Sequence, residues 1–375
     1  MAKVEKDPFR CTECGWTSQK WVGRCGECQA WGVVEEIAAP KKLSLVAGNV
    51  TAKATPIGDV DLSAAHARPT GVSELDRVLG GGLVPGAAIL LAGEPGVGKS
   101  TLLLSVAAQT AAKGIPALYI SGEESASQVR LRAERINAVD PKLFLASETD
   151  LGAVIAHIDS VKPELLIIDS VQTIGSAAAD GSPGGVTQVR EVAGALIRIC
   201  KDRDITLLLV GHVTKDGSIA GPRLLEHIVD VVLQFEGDRN HVYRLLRSLK
   251  NRFGSTSELG LYEMQGSGLR SVENPSELLL STRDEPTAGI AIGVLLEGSR
   301  PLLIEVQALV TPTAYGMPQR SCTGFDPRRL NMLLAVLEKR MGFRLGQMDV
   351  FLNMAGGIKV EDPALDLAVC AAIAS

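Results

Sequence analysis

The nine residues from Gly93 to Thr101, GEPGVGKST, restrict the fold of this chain more than any other stretch. They lie between the apolar run AAILLA and the helical pattern TLLLSVAAQTAAKG. A strand that ends in glycines and turns directly into a helix leaves backbone N–H groups free to close around a polyphosphate, and the helix N-terminus adds positive potential there. The spacing assigns the polar residues: Lys99 reaches the β- and γ-phosphates of a nucleotide, and the hydroxyl of Ser100 ligates Mg²⁺. Gly93, Glu94, Pro95, Gly96, Val97, Gly98 and Thr101 complete the loop around ATP. A glycine-rich turn that only caps a helix is the competing reading, and the flanking strand and helix weigh against it.

Residues 69–274 repeat the same alternation, which is the pattern of an α/β domain with a mostly parallel sheet under helices. Strands are expected at Ala87 to Ala92, Ala117 to Ser121, Leu143 to Ala146, Leu165 to Asp169, Thr206 to Gly211 and Val229 to Phe235. Helices are expected over Ser125 to Asn137 and Val186 to Lys201, and a short one ends at Gly80. LLIIDS has the Walker B form, an apolar strand that delivers Asp169 to the carboxyl edge of the sheet, where such folds bind ligands. Its carboxylate would hold Mg²⁺ through water, with Ser170 and Gln172 near the γ-phosphate. YISGEES follows another strand, and one of its carboxylates is suited to polarise the attacking water. Glu123 is the preferred base and Glu124 the second choice; the alternative is that they begin the next helix, where acidic groups suit the dipole.

Cys11, Cys14, Cys25 and Cys28 form two CxxC knuckles, CTEC and CGEC, spaced to converge on one tetrahedral Zn²⁺ site. A ribbon this short has no core of its own, so the metal would supply its folding energy. Two disulfides are the alternative, and a reducing compartment disfavours them. Trp16, Trp21 and Trp31 are the chain's three tryptophans, and all fall in residues 1–34. Covering the small module is their expected role, with stacking on bases or a partner as the other. Residues 35–68, rich in Ala, Lys, Thr, Pro and Gly, read as a linker. No apolar run approaches the ~18 residues that span a bilayer, and the N-terminus is charged and runs directly into cysteines, so the expected compartment is the cytoplasm. A net charge of −5 gives no support to nucleic-acid binding, which would need a local basic surface.

TGVSELDRVLGGGLVPG, GEPGVGKST, YISGEES and LLIIDS together resemble the RecA-type ATPase core. With the cysteine pairs in front and KNRFG at Lys250 to Gly254 behind, the chain resembles the RadA (Sms) family of bacterial DNA repair proteins. The resemblance implies an ATP-driven hexameric ring that acts on branched recombination intermediates, with single-stranded DNA in its channel and a RecA-type recombinase as partner. It also implies a catalytic role for KNRFG. A Lys and an Arg two apart in an extended segment project the same way, so Lys250 and Arg252 could reach a neighbour's γ-phosphate. Contact with DNA phosphates is the competing role. GHVTKDG follows a core strand, and His212 and Lys215 could couple nucleotide state to DNA.

Residues 275–375 resemble the proteolytic domain of Lon, an α+β fold. TAGIAIGVLLEGSRPLLIEVQALV reads as a hairpin that turns at Glu297 to Arg300. The following helix takes Asp326 as N-cap and Pro327 at its first position, with apolar residues at 330, 333, 334, 337 and 341. Arg328 and Arg329 in its first turn oppose the helix dipole and are expected to face DNA phosphates or an acidic neighbour. Lon-type proteases attack with a serine, and Ala364 takes its place in EDPALDLAV. A methyl group cannot attack a carbonyl, so this chain is not expected to be a protease. The chain ends inside ALDLAVCAAIAS without a helix stop signal, and the expectation is a fragment lacking the end of that domain. Cys200, Cys322 and Cys370 lack a CxxC partner and read as buried thiols.

Overall fold

The computed structural model describes residues 9–36, 55–59, 66–212, 224–237, 243–274, 276, 280, 287–297, 299–314, 316–355 and 359–375. The chain divides into two units, Met1–Asp61 and Leu62–Ser375. In the first, β1 (Phe9–Cys11) pairs antiparallel with both β2 (Thr17–Ser18) and β3 (Val34–Glu36). Its buried apolar residues, among those described, are Cys11, Cys25 and Val34, which is far too little to drive folding without a metal. Most of the expected linker, residues 37–54 and 60–65, lies outside the described residues.

The second unit opens with α1 (Ser73–Leu79), which stops at Gly80 in the left-handed conformation, as the glycine run suggested. There follow β4 (Ala88–Gly93), α2 (Lys99–Ala112), β5 (Ala117–Ser121), α3 (Ala126–Arg135), β6 (Leu143–Ser147), α4 (Leu151–Val161) and β7 (Leu165–Asp169). Next come α5 (Val186–Asp202), β8 (Thr206–His212), α6 (Leu224–Ile228), β9 (Val231–Glu236), β10 (Tyr243–Asn251), β11 (Leu259–Gln265) and β12 (Gly268–Ser271). These strands form one sheet in the order β12-β11-β10-β9-β4-β8-β7-β5-β6. From β9 to β6 all neighbours are parallel, and β10 to β12 extend the sheet as antiparallel strands.

Strand β4 is central and buried along its whole length, because it feeds both layers of core. Ile89 and Leu91 enter the cluster beneath α1, α2 and α3, whereas Ala88 and Leu90 enter the one beneath α4 and α5. The expected strand at Val229 begins later, at Val231. Asp230 turns its carboxylate onto the amide of Ala88 (3.0 Å), and its own amide donates to the Ala88 carbonyl (2.8 Å).

The rest of the chain builds a second, smaller sheet. β13 (Ile290–Glu297) and β14 (Arg300–Pro312) form the expected hairpin, with Glu297 opposite Arg300. β15 (Arg320–Thr323), α7 (Pro327–Met341), β16 (Met348–Met354) and α8 (Asp366–Ala374) complete it, in the sheet order β13-β14-β16-β15. In α7, Asp326 caps the Arg329 amide (2.8 Å), and Leu330, Leu333, Leu334 and Leu337 are buried. Met341 is exposed instead, because the helix ends at Gly342 and its last turn leaves the core. Arg329 meets an acidic neighbour rather than an open surface: it pairs with Asp366 (2.8 Å) and donates to the Glu361 carbonyl (2.7 Å). The two sheets share a core through Leu245 and Leu259, and Arg300 is buried against Glu74 (2.8 Å). Among the described residues no helix is long and apolar enough to cross a membrane.

Candidate nucleotide site and cysteine cluster

The loop after β4 opens into a cleft of 420 Å³ lined by Pro95, Gly96, Gly98, Lys99, Ser100, Thr101, Ser121, Glu123, Glu124, Arg132, Arg135, Asp169 and Met264. Gly98 caps α2 at φ +113, a conformation that side chains resist, and a Cβ there would meet Met264 at 2.8 Å. Lys99 is buried, and its ammonium donates to the carbonyls of Gly93 (2.8 Å) and Glu94 (2.9 Å). Burial lowers its pKa, while the negative charges of Asp169, Glu123 and Glu94 act in the opposite direction. Gly93 and Glu94 thus act through their carbonyls. Val97 packs in the core and does not line the cleft.

The carboxylates are sorted by their partners. Asp169 at the end of β7 is almost fully buried and accepts the hydroxyl of Tyr119. Burial drives the Tyr119 phenol well above its ordinary pKa, and the Asp169 charge adds to this, so it stays a proton donor. Glu123 is exposed to the cleft and accepts from Ser170 Oγ at 2.5 Å. Glu124 pairs with Arg132 at 2.6 Å. Neither glutamate begins a helix, because Ser125 is the N-cap of α3 in a capping box with Gln128. Ser170 is fully buried, and neither it nor Gln172 is among the residues lining the cleft.

KNRFG ends β10, which runs antiparallel to β9. Lys250 donates to the carbonyls of Glu226 and Val229, both at 2.7 Å, and Arg252 pairs with Asp230 at 3.0 Å. Asp230 immediately precedes β9 and bonds to the first residue of β4. The pentapeptide therefore occupies the edge of the sheet opposite the cleft, about 20 Å away along a six-residue strand. Burial lowers the Lys250 pKa, and the nearby Arg252 charge lowers it further. His212 is the last residue of β8, and Lys215 lies outside the described residues.

In the N-terminal unit the four cysteine sulfurs lie within 4.8 Å of one another. Cys11 and Cys28 are 3.7 Å apart, and Cys14 and Cys25 are 3.6 Å apart. A tetrahedron with Zn–S bonds of about 2.3 Å has edges of roughly 3.8 Å, so the donor set fits zinc. Sulfurs in a disulfide would be near 2.0 Å apart.

A family model described as "AAA domain" matches residues 53–218, and one described as "Rubredoxin metal binding domain" matches residues 9–36. Proteins named DNA repair protein RadA align with the whole chain and with 83% of their own length. They are 50% identical in Streptococcus pyogenes serotype M6, 48% in Listeria monocytogenes serovar 1/2a and 47% in Bacillus subtilis strain 168. The chain belongs to the RadA family of DNA repair proteins. It is an ATP-hydrolysing enzyme with a RecA-like P-loop core behind a four-cysteine ribbon. Among solved structures, the KaiC-like protein PH0186 from Pyrococcus horikoshii aligns with 56% of this chain and 99% of its own length, at 21% identity and a TM-score of 0.47.

Lys99, Ser100, Thr101, Glu123 and Asp169 come together in one cleft of this RadA-family chain, and Lys250 and Arg252 do not. Sequence reasoning missed Tyr119, Arg132, Arg135 and Met264. Arg132 carries a buried Nη1 without a hydrogen-bond partner while its other nitrogen holds Glu124, an arrangement suited to an anionic ligand. The signal was weak: LRAER reads as an ordinary solvated helix, and only the fold turns its two arginines, Arg132 and Arg135, to the cleft.

Proposed function

We propose that this chain is a DNA-dependent ATPase of recombinational repair that assembles as a hexameric ring. The ring translocates on single-stranded DNA and drives branch migration or unwinding of branched intermediates. The carrying observation is the position of KNRFG, on the far edge of the sheet from its own phosphate loop. Lys250 and Arg252 serve a neighbouring copy's site, because no side chain spans about 20 Å.

In this reading the Gly93–Thr101 loop and Lys99 hold ATP, and Ser100 and Asp169 hold Mg²⁺. Mg²⁺ held by these two residues would supply positive charge against the phosphate oxygens. Glu123 takes the proton of the attacking water, and Tyr119 keeps Asp169 in place. Cys11, Cys14, Cys25 and Cys28 hold Zn²⁺ in the N-terminal module, 1–34, which a linker, 35–68, joins to the ATPase domain, 69–274. Residues 275–375, the Lon-like part, scaffold the ring. A RecA-type recombinase is the implied partner, and the cytoplasm the implied compartment. A second reading, an ATP-controlled switch for recombinase assembly without translocation, is favoured by one observation: both KNRFG cations are already paired within the chain.

Strand displacement from a forked duplex separates the two. The wild type is expected to displace a strand with ATP, and Lys99→Ala and Arg252→Ala are expected not to. Mixing the two variants should restore part of the hydrolysis, because some sites then combine an intact loop with a neighbour's intact arginine. A wild type that hydrolyses ATP and never displaces a strand would establish the switch.

A further inference from the structure

Two of the three tryptophans do not cover the module they belong to. Trp16 is half-buried over Gly26, where a Cβ would lie 2.9 Å from its ring. Trp21 and Trp31 expose 63% and 75% of their surface, although indoles ordinarily bury most of theirs. Both rings are nevertheless held in place. Trp21 Nε1 donates to the Val34 carbonyl (3.1 Å), and the backbone at Trp31 pairs with that at Arg24. The Arg24 guanidinium lies 5.7 Å from the Trp31 ring centre while its Nε donates to the Gln29 carbonyl (2.9 Å).

Between the rings stands Gly23. A Cβ on it would lie 3.8 Å from each of them, so the two indoles border one gap that contains no side chain. Arg24 lies against this patch, and the exposed Lys20 precedes Trp21 in the chain, whereas Glu13 and Glu35 gather with Arg10 around a separate hollow at the first cysteine knuckle. Two exposed, anchored π faces with a cation against one of them are what a stacking platform for unpaired bases requires. Duplex bases hide their faces in the stack and cannot use it. The low total charge of the ribbon matters little, because stacking rather than phosphate neutralisation would carry the contact.

We propose that Trp21, Trp31 and Arg24 form a contact for single-stranded nucleic acid that stacks unpaired bases on the zinc ribbon. The proposal deepens the DNA-processing reading above and rests on it. Because the chain's three tryptophans all lie in this module, its tryptophan emission reports on the ribbon alone.

The test titrates the full chain with fluorescein-labelled oligo(dT), reading anisotropy for binding and tryptophan emission for stacking. Oligo(dT) is expected to quench most of the emission, and a duplex of equal length to quench little. Trp21→Ala and Trp31→Ala should each weaken oligo(dT) binding by about tenfold. The matching Phe variants should recover most of the loss, and retained zinc in every variant would show an intact ribbon. Oligonucleotide that binds by anisotropy without changing the emission would overturn the proposal and leave the DNA reading standing. A wild type that binds no oligonucleotide would overturn both. Quenching by a recombinase filament but not by free oligo(dT) would assign the patch to a protein partner and overturn it likewise.

Discussion

The two adjacent glutamates of YISGEES give the sharpest test of the site, because the fold assigns them different partners. Glu123 faces the cleft and accepts from Ser170 Oγ at 2.5 Å, whereas Glu124 is spent on Arg132 at 2.6 Å. A positioned general base contributes about 10²- to 10⁴-fold. At about 1.36 kcal/mol per tenfold, Glu123→Gln should raise the barrier to hydrolysis by roughly 3–5 kcal/mol. It should leave the nucleotide bound, since the loop and Lys99 are the groups proposed to hold its phosphates. Glu124→Gln removes the charge from a hydrogen bond whose side chains are 35% and 21% exposed. Charge-assisted bonds are worth about 1.5–3 kcal/mol when buried, and solvent screening brings this one to about 1 kcal/mol. That corresponds to about fivefold, appearing in nucleotide affinity through a loosened Arg132 rather than in the chemical step. Single-turnover hydrolysis and binding of a fluorescent ATP analogue measure the two quantities separately. If Glu124→Gln loses hundreds-fold in turnover while Glu123→Gln stays near wild type, the partner-based assignment is wrong.

Two further expectations concern the frame around the site. Purified protein should carry about one zinc per chain by elemental analysis. Chelation should unfold the ribbon and shift the emission of Trp16, since three buried apolar residues cannot hold it together. Arg300→Ala should destabilise the second unit by about 1.5–3 kcal/mol. It removes the closest cation from the Glu74 carboxylate, whose side chain is only 2% exposed and which keeps the Leu261 amide (2.9 Å) and Arg77 at 3.6 Å, and this should appear as a lower midpoint in denaturant. Adding Glu74→Gln should recover much of the loss, and a double variant as unstable as the sum of the two singles would contradict the pairing.

Much of the architecture could be read in advance because short-range rules govern it. The central parallel strands are runs of aliphatic residues with glycine or acid at their carboxyl ends, and β5 and β7 match the expected ranges to the residue. The stop of α1 at Gly80, the N-cap at Asp326 and the hairpin at Glu297 to Arg300 each depend on a few neighbouring residues. The cysteine cluster was equally local, since two CxxC turns on a short ribbon have few ways not to meet.

What escaped was the pairing of charges across long stretches of chain. Arg300 finds Glu74 at a separation of 226 residues, and Asp230 finds the amide of Ala88 at 142. Periodicity announces a buried leucine, but nothing local distinguishes Arg132, turned into the cleft, from Arg130, paired with Glu134 on the surface of the same helix. The same limit governs KNRFG. Its residues are recognisable one by one, yet only the sheet order shows that they end a strand beside Asp230, facing away from their own phosphate loop. A cation pair there must either exchange its internal partners for a neighbour's phosphate or remain structural. Asp230 decides the cost of that exchange, because it already holds Lys201 at 3.1 Å and the Ala88 amide at 3.0 Å, and so keeps partners when Arg252 leaves. The carboxylate is never stranded, and release of Arg252, half exposed as it is, costs about what a surface ion pair is worth, roughly 1 kcal/mol or less.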